Sequence, residues 1–195
     1  MNKQIRKLVL GFAAVFLASI ASAASTPPPP EVTSRYDKSV DFSAYRTFAF
    51  FEPLAIDSAG YEPVVAKTLR AAARAEMEKR GYVYAETGAD LLVNLSGKLA
   101  KQLEVKQVES VAPPVYFSFR QGYYSDWSAQ GPESEVVEYT EGTISVDLIE
   151  AKGKRLVWEG VAIGRATKKT KRNREATLTA AVAEIFSKYE FRPGG

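Results

Sequence analysis

Thr143-Ile144-Ser145-Val146-Asp147-Leu148, then the turn residues Ala151-Lys152-Gly153-Lys154, then Arg155-Leu156-Val157-Trp158-Glu159-Gly160: this stretch decides the fold. Apolar and polar residues alternate on the way out. The turn offers a glycine for a positive φ, and the return segment resumes the extended pattern as far as Ala166. Period-two alternation on both sides of a short glycine-containing turn predicts a β-hairpin. Asp147 falls on the opposite face from Val146 and Leu148 and is expected to be exposed. Trp158 is expected in the core or beneath a helix, so both have structural roles.

Upstream, Leu91, Val93, Leu95 and Leu99 alternate with more polar positions, the pattern of a half-buried strand. Before it, residues 63–80 read as a helix. Pro63 suits a first turn and Gly81 the residue after an end, while Val65, Leu69, Ala72, Ala73 and Met77 recur at helical spacing. Residues 45–51, Tyr-Arg-Thr-Phe-Ala-Phe-Phe, read as a strand bounded by Pro53 and buried on both faces. Strand, helix, strand implies a right-handed crossover and a parallel pair.

After the hairpin, Leu178, Ala181, Val182, Ile185, Phe186 and Tyr189 form an apolar stripe of helical spacing, with Asn173 as its N-cap. The order β-α-β-(β)-β-β-α gives an α+β two-layer sandwich. Its twisted, mixed, mostly antiparallel sheet carries two amphipathic helices on one face.

The start of the chain bears on compartment. Residues 1–7 hold Lys3, Arg6 and Lys7 and no acid; an apolar run covers 8–20, and Ala21-Ser22-Ala23 follows. This is the layout of a secretory signal peptide over 1–23. The apolar run falls short of the roughly 20 residues of a membrane-spanning helix, and no later segment approaches that length. Residues 24–34, with Pro27-Pro28-Pro29-Pro30, read as a semi-rigid linker, 35–192 as one domain and 193–195 as a tail.

The full chain has 26 Lys+Arg against 23 Asp+Glu, and three of the bases lie in the signal. The remainder is formally neutral, which removes the electrostatic case for nucleic-acid binding. There is no Cys, so no lipid anchor is expected, and no His. Ser-His and Cys-His nucleophile pairs and His-ligated zinc are thereby excluded. Export is expected, to the periplasm first and the exterior second.

Three segments resemble a family of exported, often lipidated bacterial proteins known as a domain of unknown function, number 4136. They are Asp41-Phe42-Ser43-Ala44-Tyr45-Arg46-Thr47-Phe48-Ala49-Phe50, then Gly88-Ala89-Asp90-Leu91-Leu92-Val93, then residues 139–149 with Leu156-Val157-Trp158-Glu159-Gly160-Val161-Ala162. The final helix ending at Tyr189 also fits, so the resemblance spans about 35–192. It implies an exported α+β domain and brings no catalytic residues.

Two surfaces stand out. Tyr116, Phe119, Tyr123, Tyr124 and Trp127 sit among Gly, Ser and Pro in a loop or frayed hairpin. Large amphipathic rings on a surface loop are binding groups, or else they cap a sheet edge. Lys168, Lys169, Lys171, Arg172 and Arg174 form a basic run that would meet an anionic surface, or else simply a solvated loop.

Glu133, Glu135, Glu138 and Glu141 match no calcium loop and read as a solvated face before a strand. Gly97-Lys98 lacks the lead-in of a phosphate loop, and Ser96 the flanking glycines of a nucleophile elbow. No metal, cofactor or catalytic residue is expected. The expected function is a non-catalytic binding or accessory module whose partner is an unidentified envelope protein or component. The rivals are a carboxylate-only hydrolase and a structural or stress-protective protein.

Overall fold

The computed structural model describes residues 29–108 and 133–194. Six strands form one sheet: β1 (Glu31–Tyr36), β2 (Thr47–Phe50), β3 (Val83–Tyr84), β4 (Leu91–Val108), β5 (Glu133–Glu150) and β6 (Arg155–Arg165). Their spatial order is β1-β6-β5-β4-β2-β3. β2 runs parallel to both β3 and β4, and the remaining pairs are antiparallel. Among the described residues there are three α-helices, α1 (Pro63–Lys79), α2 (Lys168–Arg172) and α3 (Arg174–Phe186), besides two short 3-10 turns. The α+β sandwich and the parallel crossover through α1 are as the sequence predicts.

One face of the sheet is apolar because β4, β5 and β6 alternate in phase. Leu91, Val93 and Leu95, Val146 and Leu148, and Trp158 and Ala162 all point to the helices. They meet Leu69, Ala73 and Met77 of α1 and Val182, Ile185 and Phe186 of α3 in one core. Each large side chain fully buried there contributes about 1.5–3 kcal/mol. Trp158 stacks on Phe186 with ring centroids 5.9 Å apart. Gly160 makes room for that indole: a Cβ at Gly160 would stand 2.4 Å from Trp158 Cη2 and 2.5 Å from Ile185 Cγ2.

The opposite face carries a polar row, Asn94, Asp147, Glu159 and Arg35, one residue from each of β4, β5, β6 and β1. Asp147 therefore faces away from Val146 and Leu148 as expected. It is half-buried rather than exposed, because neighbours on both sides of β5 cover it.

Several boundaries differ from the sequence reading. β1 begins at Glu31, inside the residues assigned to the linker. Only Val32 of β1 is even half-buried, so this polar edge strand has no apolar alternation to announce it. The first predicted strand contracts to β2, and the two-residue β3 is additional. The optional strand and the aromatic residues Tyr116, Phe119, Tyr123, Tyr124 and Trp127 lie outside the described residues.

β4 and β5 run far past the predicted strands, in unbroken register to Val108↔Glu133. β6 ends at Arg165, opposite Glu141, so the outer part of the pair is a two-stranded arm. The acids Glu135, Glu138 and Glu141 thus lie within β5 rather than before a strand. Glu138 pairs with Lys101 at 2.9 Å and Glu141 accepts from Gln102 at 3.2 Å. In the hairpin turn, the positive φ of 48° belongs to Lys154, not Gly153. At Gly153 a Cβ would meet only the movable end of Glu150, Oε2 at 2.8 Å, so the turn does not depend on a glycine there.

Candidate ligand cleft

α1 and α3 lie side by side on the sheet, running the same way. At their C-terminal ends they are locked together. The Arg80 guanidinium, beyond the end of α1, donates to the carbonyls of Phe186 and Tyr189 and packs over the Phe186 ring. The Tyr82 and Tyr189 hydroxyls share a buried hydrogen bond of 2.8 Å beside it. At their N-terminal ends the helices are joined by an ion pair, Glu62 to Arg174 at 2.8 Å. Between that end of the helix layer and the sheet lies a cavity of about 1090 Å³. This is at the upper edge of the roughly 300–1,000 Å³ usual for small-molecule sites.

Glycine makes the floor. Gly97 of β4, Gly142 of β5 and Gly164 of β6 continue the inward-facing series Leu91-Val93-Leu95, Ile144-Val146 and Ala162. Where the core rows carry large side chains, these positions carry none. Glycine inside a strand is unfavourable for the strand itself and often marks the close approach of a ligand or of another chain segment.

The floor is partly covered from above. The Ile56 methyl would lie 2.9 Å from a Cβ at Gly97, and the Tyr61 hydroxyl donates to the Gly97 carbonyl at 3.3 Å. Pro30 would lie 3.4 Å from a Cβ at Gly164. From β4 to β6 the floor crosses three strands, about 10 Å between the outer strand axes.

The walls are apolar or small. Val65 and Leu69 of α1 face Thr177, Leu178 and Ala181 of α3. One lip is basic. Thr167 and Thr170 form a capping box, the Thr167 hydroxyl accepting from Thr170 N at 3.2 Å and the Thr170 hydroxyl from Thr167 N at 2.8 Å. The box turns the basic run into α2, a helix where the sequence reading had a solvated loop.

α2 and the first residue of α3 bring Lys171 and Arg174 to the cavity, while Lys168, Lys169 and Arg172 are exposed beside it. Asn173 stands at the N-cap of α3 as predicted but makes no side-chain capping bond. Arg174 is held by Glu62; among the described residues, Lys168, Lys169, Lys171 and Arg172 have no ion-pair partner. Glu62 and Glu184 are acids lining the cavity, and the exposed Glu175 follows Arg174 in the chain.

Of the basic run, Lys171 and Arg174 line this cleft, and its glycine floor is not among the residues the sequence pattern singles out. The signal was present: three strand glycines share the parity of the buried positions. The acids that a carboxylate-only hydrolase would draw from the hairpin region do not meet in this cleft: Glu135 and Glu138 sit on the exposed arm and Asp147 on the far face of the sheet. No group of three or more acidic side chains placed to hold a metal ion occurs among the described residues. No helix among them is long and apolar enough to cross a membrane.

The fold has solved counterparts. A PDZ-domain protein from Parabacteroides distasonis ATCC 8503 superposes with a TM-score of 0.51 at 13% identity, over 85% of this chain and 37% of that one. The chain therefore spans little more than a third of that protein's length. PelC from Paraburkholderia phytofirmans, solved as a dodecamer, gives 0.46 at 9% identity over 81% of this chain and 96% of its own. A neuraminyllactose-binding hemagglutinin homologue from Helicobacter pylori gives 0.43 at 11% identity, over 76% and 84%. No curated protein matches the chain. A family model does, over residues 32–189, and the chain belongs to that family, the domain of unknown function DUF4136.

Proposed function

We propose that this protein is an exported, non-catalytic binding module of the bacterial cell envelope that takes an apolar guest into the cleft between α1, α3 and the sheet. The observation that carries the reading is the cavity itself: about 1090 Å³, floored by three strand glycines and walled by aliphatic side chains. The cleft is open to solvent on one side, so an apolar guest would displace water from its aliphatic walls and remove its own apolar surface from water. Export is supported by the signal-like residues 1–23, with their basic start, apolar run and small residues at 21–23.

Titration with the uncharged fluorophore N-phenyl-1-naphthylamine tests the cleft. The wild type is expected to give saturable, blue-shifted emission. Gly142→Leu and Ala181→Phe, which place bulk over the floor and in the wall, are expected to lose it while melting cooperatively. Unchanged binding in both folded variants, or no saturable binding in the wild type, removes the cleft. Recovery of the protein in the periplasmic fraction with an intact mass beginning at Ala24 tests export.

A further inference from the structure

We infer that the guest is a single-chain amphiphile with a carboxylate head, its tail across the glycine floor and its head at the lip formed by Lys171 and Arg174. The inference rests on the cleft being the binding site and adds the chemistry of the occupant.

Three observations converge. The cleft crosses three strands past Gly97, Gly142 and Gly164, and Ile56, Leu99 and Pro30 narrow it over those glycines, which leaves room for a thin chain sooner than for a bulky ring system. The lip at one end is basic: residues 168–174 hold five bases and no acid, four of them on the capped helix α2 and the fifth, Arg174, at the start of α3. Arg174 already binds a carboxylate at this place, that of Glu62, at 2.8 Å. Its guanidinium pairs with Glu62 through Nη1 and has further N–H donors for a guest carboxylate. Lys171, exposed on the same lip, supplies the second donor.

Charge complementarity selects the head group, since Lys168, Lys169 and Arg172 add positive potential beside the mouth while Glu62 and Glu175 offset only part of it. A cationic head would meet that field unfavourably. An uncharged head would leave the lip unused.

Calorimetry with dodecanoate and dodecyltrimethylammonium below their micelle concentrations, and dodecan-1-ol below its solubility limit, tests the inference on the full mature chain. Dodecanoate is expected to bind about tenfold more tightly than the alcohol, the effect of one or two bases near an anion, and to weaken as salt rises. Lys171→Gln/Arg174→Gln is expected to remove that advantage and leave dodecan-1-ol unchanged. Gly142→Leu, or Ala181→Phe should the first variant not fold, is expected to abolish binding of both.

Equal affinity for the acid and the alcohol overturns the carboxylate head and leaves the cleft intact. So does an advantage that survives the double substitution. Binding of neither, or binding that both filled variants retain, overturns the cleft reading and this inference with it.

Discussion

Glu62 and Arg174 bridge the first turns of α1 and α3 at 2.8 Å across the mouth of the cleft. Both side chains are substantially exposed, so the pair is worth little to the fold, about 0–1 kcal/mol. Its larger consequence is competition: while Glu62 occupies Arg174, the guanidinium is less available to a guest carboxylate. Glu62→Gln is therefore expected to lower thermal stability only slightly and to tighten dodecanoate binding by roughly two- to fivefold. Binding of dodecan-1-ol should not change. A calorimetric series on both ligands checks this, and weaker dodecanoate binding in the variant would mean that Glu62 supports the lip rather than competing for it.

Where local chemistry and global pattern agreed, the fold was legible. Pro63 and Gly81 bracket α1, and the φ of 96° at Gly81 is one that few other residues adopt. The β5–β6 hairpin was legible because one face is buried, which pins register. β1 and the outer arm were not, for the same reason inverted. Leu103, Val105 and Val136 on the arm keep the parity of the core face but are 72%, 66% and 62% exposed, and β1 buries almost nothing, so burial pins the register of neither.

α2 was hidden because its capping box uses Thr170 at the third position, where a Glu or Gln is the usual signature. The floor was hidden because it consists of side chains that are not there. Parity with the buried residues of each strand was the one sign of it.

Asp90 ties the start of β2 to the start of β4. Its Oδ2 accepts from Arg46 N at 2.8 Å, Thr47 N at 2.9 Å and the Thr47 hydroxyl at 2.8 Å. Burial alone would raise its pKa, but the hydrogen bonds from Arg46 and Thr47 to the charged form outweigh this and hold it below the ordinary 3.8.

A depressed carboxylate stabilises the fold above its unfolded pKa, and that contribution fades as pH falls through the folded value. Asp90→Ala is expected to cost about 1 kcal/mol at pH 7, by removing the acceptor of the part-buried Thr47 amide and hydroxyl. The gap between variant and wild type in urea unfolding should narrow below about pH 4, the unfolded range of the group. A gap of constant size down to pH 2 would assign the loss to packing instead.

Asp147 shows the opposite sign on the far face of the sheet. Burial is the largest influence and raises its pKa; Glu159, directly across on β6, raises it further. The hydrogen bond from Asn94 Nδ2 at 3.3 Å and the charge of Arg35 pull it down without cancelling the rise. A raised carboxylate binds its proton more tightly in the folded protein, so folding is favoured at low pH. Stability is then lost as pH climbs from the unfolded value through the folded one.

Asp147→Asn keeps an oxygen for Asn94 and removes the charge facing Glu159. It is expected to stabilise the protein at pH 7 by up to about 1 kcal/mol, a figure kept small because solvent reaches this face and screens the pair. The gain should vanish below about pH 4, where the wild-type side chain is also neutral. Chemical denaturation of both proteins at pH 3, 5 and 7 checks the trend. A variant destabilised equally at all three would show that the Asn94 contact needs the carboxylate's geometry more than the row of charges suffers from its presence.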